Sequence, residues 1–269
     1  MTQWDEVRTT IDRSERSGRV GVTIIAPDGE RWSHNEHRQF RSASVVKIPL
    51  MIEVYRAIES GRRALDDRFV LRDDDKTAGS GVLLYLHDGI EVTLHDLIYL
   101  MISISDNTAT NILIDVAGME RVNDTMHDLG MTASNLGRGM RGRPAVEGEV
   151  ENLATADDYA TAMSAILDNR AASPESCLAM LDMLRKQQNP RRIGRHVPDS
   201  EDISWGSKTG SIAGVTNDVG FVTSSGGTIV IAAFCEGFPD QHAGEAAIGD
   251  IAHAAMIATG ILAETASGH

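Results

Sequence analysis

Strand-forming segments cluster near the two ends of this 269-residue chain, and the long stretch between them reads as helix after helix. Arg19–Ala26 has strand character, and Pro27-Asp28-Gly29 turns it into a second strand near Glu30–Asn35. Strand character returns at Ile203–Thr209, Val215–Thr223 and Thr228–Phe234, with Ser224-Ser225-Gly226-Gly227 as a hairpin turn between the last two. This pattern predicts an α+β fold of α/β-sandwich type. A five-stranded antiparallel sheet is completed by both chain ends and flanked by helices, and the helical middle is an inserted subdomain. We expect one domain over 1–269, with 1–40 and 200–269 forming the sheet part and 41–199 the helical part.

The helical middle opens on Ser42-Ala43-Ser44, a polar tripeptide followed by Val45, Val46, Ile48, Leu50, Met51, Ile52 and Val54. That reads as a helix start, with Ser42 a candidate cap and a largely buried helix behind it. Pro49 removes one helix hydrogen bond to Val45, so an irregular first turn is expected. Further helices are expected at Leu94–Ile104, Asn107–Val116, Thr155–Asp168, Ser173–Lys186 and Glu245–Leu262, and an exposed one at about Thr2–Arg16.

A hydrophobic content of 42% and a charged content of 24% are ordinary for a globular chain. The formal charge of −14 argues against nucleic acid or anionic membranes as partners, since both repel an acidic surface. Cys177 and Cys235 lie far apart and outside any paired spacing, which reads as two buried free thiols. His34 and His37 flank Glu36 without a third ligand group, so they read as solvated side chains rather than a metal site. Met1-Thr2-Gln3-Trp4-Asp5-Glu6 lacks the basic start and apolar core of a secretory signal, and no apolar run is long enough to cross a bilayer. The chain is therefore expected to be cytoplasmic and monomeric, with a small-molecule substrate, no metal and no organic cofactor.

Three groups of residues point to nucleophilic chemistry. On a helix, Lys47 sits one turn from Ser44. An amine in apolar surroundings has a lowered pKa and can take the proton of a serine hydroxyl, and a helix N-terminus favours a developing oxyanion. Ser105-Asp106-Asn107 falls between two helical segments, where a hydroxyl can relay a proton and an amide can orient a substrate. The same tripeptide also suits the N-cap of the following helix. Lys208-Thr209-Gly210-Ser211 lies at the end of a predicted strand, where a glycine lets a ligand approach and Lys208 and the hydroxyls offer donors to a carboxylate. Lys-Thr-Gly serves equally as a strand exit.

In this order and spacing, Ser44-x-x-Lys47, Ser105-Asp106-Asn107 and Lys208-Thr209-Gly210 resemble the signature set of class A β-lactamases and the related penicillin-binding proteins. Phe40, Ala43, Gly79-Ser80-Gly81-Val82-Leu83, Leu94–Asp115 and Asn217-Asp218 extend the resemblance over nearly the whole chain. It implies that Ser44 is the acylated nucleophile and Lys47 its base or relay. Ser105 would protonate the β-lactam nitrogen, and Asn107 would hold the substrate side chain and Lys47. Lys208, Thr209, Gly210 and Ser211 would bind the substrate carboxylate, with the N–H groups of Ser44 and Ser211 as oxyanion hole.

The chain departs from that family in one loop. Class A enzymes carry a water-activating Glu there, and alignment on Asn135-Leu136-x-Arg138 places Met140 at its position. Glu147, Glu149 and Glu151 are near enough in sequence to substitute, although a solvated acidic loop accounts for them too. Arg138 and Asn152 are expected to brace the loop where the family uses an Arg–Asp pair. Met51 stands where the family often has Cys, so no disulfide is expected under the helix. The expected function is a serine hydrolase that opens a β-lactam amide through Ser44, with slow deacylation. The alternatives are a D,D-peptidase or esterase-like acyl hydrolase and a non-hydrolysing penicillin-recognising protein.

Overall fold

The computed structural model describes residues 2–263. Helix α1 (Asp5–Ser14) leads into strands β1 (Arg19–Ile25) and β2 (Arg31–His34). A short strand β3 (Phe40–Arg41) and a 3-10 turn (Ala43–Val46) precede helix α2 (Lys47–Glu59). Strands β4 (Arg68–Val70) and β5 (Glu91–Thr93) pair with each other ahead of α3 (Leu94–Ser103), α4 (Asn107–Ala117) and α5 (Met119–Asp128). Strand β6 (Leu153–Ala154) pairs with β3 and is followed by α6 (Ala156–Leu167) and α7 (Pro174–Arg185). The chain returns through β7 (Ser204–Ile212), β8 (Val215–Ser224) and β9 (Gly227–Glu236) to α8 (Gln241–Ala258).

The main sheet has five antiparallel strands in the order β2-β1-β9-β8-β7, so the first two strands do join the last three. Strand periodicity explains how it is covered. On β9, Val230, Ala232 and Phe234 pack toward α6 and the helical middle, while Ile229, Ile231, Ala233 and Cys235 pack under α1 and α8. Successive side chains point to opposite faces, and both faces are buried, so β9 is apolar throughout. Cys177 and Cys235 are buried free thiols. Among the described residues no helix is long and apolar enough to cross a membrane.

Several element ends differ from the sequence expectation. Helix α1 is shorter than Thr2–Arg16 and not simply exposed, because Val7, Thr10 and Ile11 are buried on its inner face. Helix α5, absent from the sequence expectation, is polar on average, and Val122, Thr125 and Met126 are its only buried residues. Strand β7 runs on to Ile212, so Lys208-Thr209-Gly210 lies within the strand and not at its exit. The extension arises because Ile212 pairs with Val215 across a tight turn in which Gly214 takes φ 73°. His34 sits in β2 with its ring 3.1 Å from Glu15, away from any cluster of ligand groups.

Helix α2 is buried nearly all round, as a central helix must be when its sequence is apolar on every side. Each of Ile48, Leu50, Ile52 and Val54 contributes about 1.5–3 kcal/mol by burial. Together they outweigh the hydrogen bond of about 1 kcal/mol that Pro49 cannot make. The irregular first turn is present as the 3-10 segment Ala43–Val46. Ser42 does not cap it, since its hydroxyl turns to the Ala43 carbonyl at 3.2 Å.

Candidate active site

Ser44 lies in the 3-10 turn and Lys47 opens α2. Side chains three apart eclipse one another in a 3-10 segment, so the turn places Lys47 directly below Ser44. Ala43, immediately before the serine, takes the left-handed φ of 47°. That conformation costs an L-residue energy and is held here by the packing around it. The turn rests on Gly210: a Cβ there would lie 2.9 Å from the Ser42 carbonyl and 3.1 Å from the Ser44 nitrogen. Gly210 is thus needed for the approach of strand to turn. Gly210→Ala should lower stability by about 1–3 kcal/mol and displace Ser44. Thermal unfolding would show the first effect, and reaction with an acylating probe the second; an unchanged Tm would contradict this packing argument.

Lys47 is fully buried and donates to the Ser105 carbonyl at 2.8 Å, the Ser105 hydroxyl at 2.9 Å and Asn107 Oδ1 at 3.1 Å. Burial pushes its amine well below the ordinary lysine value, and the charge of Lys208 adds to this against the opposing pull of Asp106. That lowering makes the neutral amine, the form that can take a proton, easier to reach than in an ordinary lysine. The short loop before α4 sets its partners. Ser105 takes φ 61°, and the Asp106 carboxylate beside it fixes the loop by accepting from the backbone N–H groups of Val82, Leu83 and Ala109. Asp106 therefore serves as the helix cap that the sequence allowed, while Ser105 and Asn107 hold the lysine. The cap falls on Asp106, which leaves the side chains of Ser105 and Asn107 to Lys47.

Facing this group, a cavity of about 400 Å³ is lined by Ser44, Ser105, Thr209, Ser211 and Arg192. Lys208 is fully buried and its ammonium donates to the Thr209 carbonyl at 2.8 Å. Burial pulls Lys208 down to about 7, with Asp218 acting in the opposite direction and Arg192 in the same one. Sequence reading missed Arg192. It is buried, and its guanidinium donates to the carbonyls of Gly210 (2.9 Å) and Asn217 (2.5 Å), to the Ser211 hydroxyl (2.5 Å) and to Glu245 (3.2 Å). Nothing in Asn189-Pro190-Arg191-Arg192 marks one arginine over the other, because its partners come from β7, β8 and α8.

A second compartment of the same cleft is bounded by Ser44, Asn107, Met140 and the loop from Arg138 to Asn152. Asn111 on α4 clamps the Met140 backbone, accepting its N–H at 2.7 Å and donating to its carbonyl at 3.0 Å. Arg138 and Asn152 both brace the loop, Asn152 through the Arg138 backbone and the Arg138 guanidinium through another partner. The ion pair runs from Arg138 to Glu151 at 3.0 Å, and Asn152 instead bonds the backbone of Gly137 and Arg138. A carboxylate also neutralises the guanidinium, which an amide oxygen does not. Glu149 is engaged by Arg143 through two contacts of 2.8 and 2.9 Å, whose hydrogen bonds lower its carboxyl to about 2. Both Glu149 and Glu151 are committed to holding the loop. Glu147 is exposed and is not part of the compartment wall.

The profile of the β-lactamase enzyme family matches residues 4–258. The crystal structure of a β-lactamase from Sphaerobacter thermophilus superimposes with a TM-score of 0.95 at 62% identity, covering 96% of this chain and 98% of that one. PBP-A superimposes with a TM-score of 0.85 at 25% identity, covering 96% and 97% of the two chains. A β-lactamase of Rhodobacter capsulatus is 29% identical over 196 residues, 68% of this chain. That match spans 64% of the relative's own length, a little under two-thirds.

Proposed function

This chain belongs to the β-lactamase enzyme family, and we propose that it is a serine hydrolase that opens the amide of a β-lactam through an acyl-enzyme on Ser44. The observation that carries this reading is the buried Lys47 amine bonded to Ser105 and Asn107 beneath Ser44. In the first step the Ser44 hydroxyl attacks the lactam carbonyl and its proton passes to Lys47. The oxyanion that forms lies toward the N–H groups of Ser44 and Ser211, next to the turn that Gly210 holds close. Collapse breaks the C–N bond. The nitrogen takes a proton from the Ser105 hydroxyl, which Lys47 replenishes across their 2.9 Å hydrogen bond. The product is an ester on Ser44, with the substrate carboxylate toward Thr209, Ser211 and the charges of Lys208 and Arg192.

Hydrolysis of that ester needs an activated water, and here a second reading gains support. Met140 occupies the compartment wall where the family resemblance places a glutamate, and Glu149 and Glu151 are engaged by arginines. Loss of a general base costs about 100- to 10,000-fold in rate. A long-lived acyl-enzyme, as in a peptidase or a penicillin-recognising protein, follows from the same geometry.

Intact-mass spectrometry after mixing with benzylpenicillin, run beside nitrocefin absorbance, separates these outcomes. We expect a penicilloyl adduct on Ser44 with slow colour change, and no adduct on Ser44→Ala. Rapid colour change with no lasting adduct would instead mean efficient turnover. Neither adduct nor hydrolysis would overturn the acyl-transfer reading.

Binding should also depend on pH. Lys208 titrates at about 7, so it is charged below that value and neutral above it. A carboxylate ligand favours the charged form, and its affinity is highest at acid pH and falls as pH rises through about 7. Calorimetry of benzylpenicillin on Ser44→Ala should show Kd rising several-fold from about pH 6 to about pH 8.5. A flat Kd would remove the Lys208 charge from the carboxylate site.

A further inference from the structure

The loop facing Ser44 brings three arginines, Arg138, Arg141 and Arg143, to one wall of the second compartment. Two of them are committed. Arg138 donates to Glu151 Oε1 from Nε at 3.2 Å and Nη2 at 3.0 Å, and also to the Arg143 carbonyl. Arg143 makes its paired contacts with Glu149 and a further bond to the Pro144 carbonyl. Arg141 is different. Its Nε lies 3.6 Å from Glu149 Oε1, beyond hydrogen-bond reach, and its guanidinium makes no hydrogen bond among the described residues. Its side chain is 60% exposed.

The ion pairs of the loop are unevenly shared. Arg138 and Glu151 balance one another, whereas Arg141 and Arg143 share the single carboxylate of Glu149. The loop's third carboxylate, Glu147, is exposed, outside this wall and in no ion pair among the described residues, so Arg141 is the guanidinium of the wall without a carboxylate of its own. On the other side of Ser44, the Thr209, Ser211 and Arg192 group already offers donors to one carboxylate. The nucleophile therefore stands between two anion-attracting ends. Arg141 immediately follows Met140, whose backbone Asn111 clamps, so its Cα is fixed relative to α4 even though its side chain reaches into solvent.

We propose that Arg141 is a specificity-determining residue that recognises an anionic group on the acyl side of the substrate. The substrate class that follows is a dianionic acyl compound, with one carboxylate at the Thr209/Ser211 end and a second acid on the acyl side chain. The proposal rests on the acyl-transfer reading of Ser44.

Three penicillins that differ only at the α-carbon of the phenylacetyl side chain test it: benzylpenicillin, its α-carboxy derivative and its α-amino derivative. Acylation rates are read by quenched intact-mass spectrometry for the native protein, Arg141→Ala and Arg141→Lys. In the native protein the α-carboxy compound should acylate faster than the α-amino one. That ratio should fall about three- to tenfold in Arg141→Ala, as expected for one partly screened charge pair, and recover in part in Arg141→Lys. Raising the salt from about 20 mM to about 500 mM should lower the native ratio toward that of Arg141→Ala. Arg141 is exposed, so both variants should keep the native Tm. An adduct whose rate changes equally for all three compounds, or a ratio that Arg141→Ala leaves unmoved, overturns the assignment of Arg141 alone. No adduct with any of the three overturns the acyl-transfer reading and this proposal with it.

Discussion

Met140→Glu shortens the lifetime of the acyl-enzyme on Ser44 by about 100- to 10,000-fold, the range over which a positioned general base acts. The expectation rests on backbone geometry. Asn111 holds both the N–H and the carbonyl of Met140, so the direction of the side chain is set by α4 and not by the loop alone. Methionine and glutamate are both unbranched and of similar length, so the carboxylate arrives where the thioether now forms the compartment wall beside Ser44. Partial burial raises the pKa of the new carboxyl, which brings it closer to that of an effective base near neutral pH. The same burial lowers stability by about 1–3 kcal/mol, since Met140 is only 8% exposed. Time-resolved intact mass after a benzylpenicillin pulse gives the lifetime, and thermal unfolding gives the stability. A folded variant whose adduct persists as long as in the native protein would show that a base at this position does not reach the ester.

Lys47→Met slows formation of the adduct by about 100- to 10,000-fold while the fold is retained. Methionine fills most of the buried volume of the lysine, so packing around α2 is largely preserved. It supplies no amine, and it leaves the Ser105 carbonyl, the Ser105 hydroxyl and Asn107 Oδ1 without their common donor. An unpaired buried polar group costs about 1–3 kcal/mol, so Tm falls as well. The pH profile separates the two effects. At saturating substrate, where the Lys208 titration no longer limits binding, acylation in the native protein should rise with pH as Lys47 loses its proton, and in Lys47→Met that rise should vanish, because a structural loss alone would lower the rate equally at every pH. Acylation of the variant at close to the native rate would remove Lys47 from the proton path.

The sequence by itself determined the main sheet and most of the helices. Apolar runs with turn residues between them placed all five sheet strands, and both ends of the chain were seen to share one sheet. Ser44, Lys47, Ser105, Asn107, Thr209 and Ser211 stood out because three short motifs in this order resemble the class A signature set, while each motif alone fits a helix start, a cap or a strand exit equally well. The irregular turn at Ser44 was legible locally, since Pro49 cannot donate to Val45. Local signals failed at element ends, as where β7 runs past Gly210 to the turn at Gly214. They failed too for α5, whose buried face is narrow.

What only the tertiary structure decided is which polar groups share a partner. Arg192 acquires its role from three distant segments that converge on one guanidinium. The loop acids were equivalent in sequence, and folding alone commits Glu149 to Arg143 and Glu151 to Arg138. That Gly210 makes room for the Ser42–Ser44 backbone could not be read from its neighbours in sequence. The physical reason is common to all of these. Hydrophobic period and backbone propensity act within a few residues and are written locally, whereas the pairing of a buried charge depends on groups brought within a few ångströms by the fold.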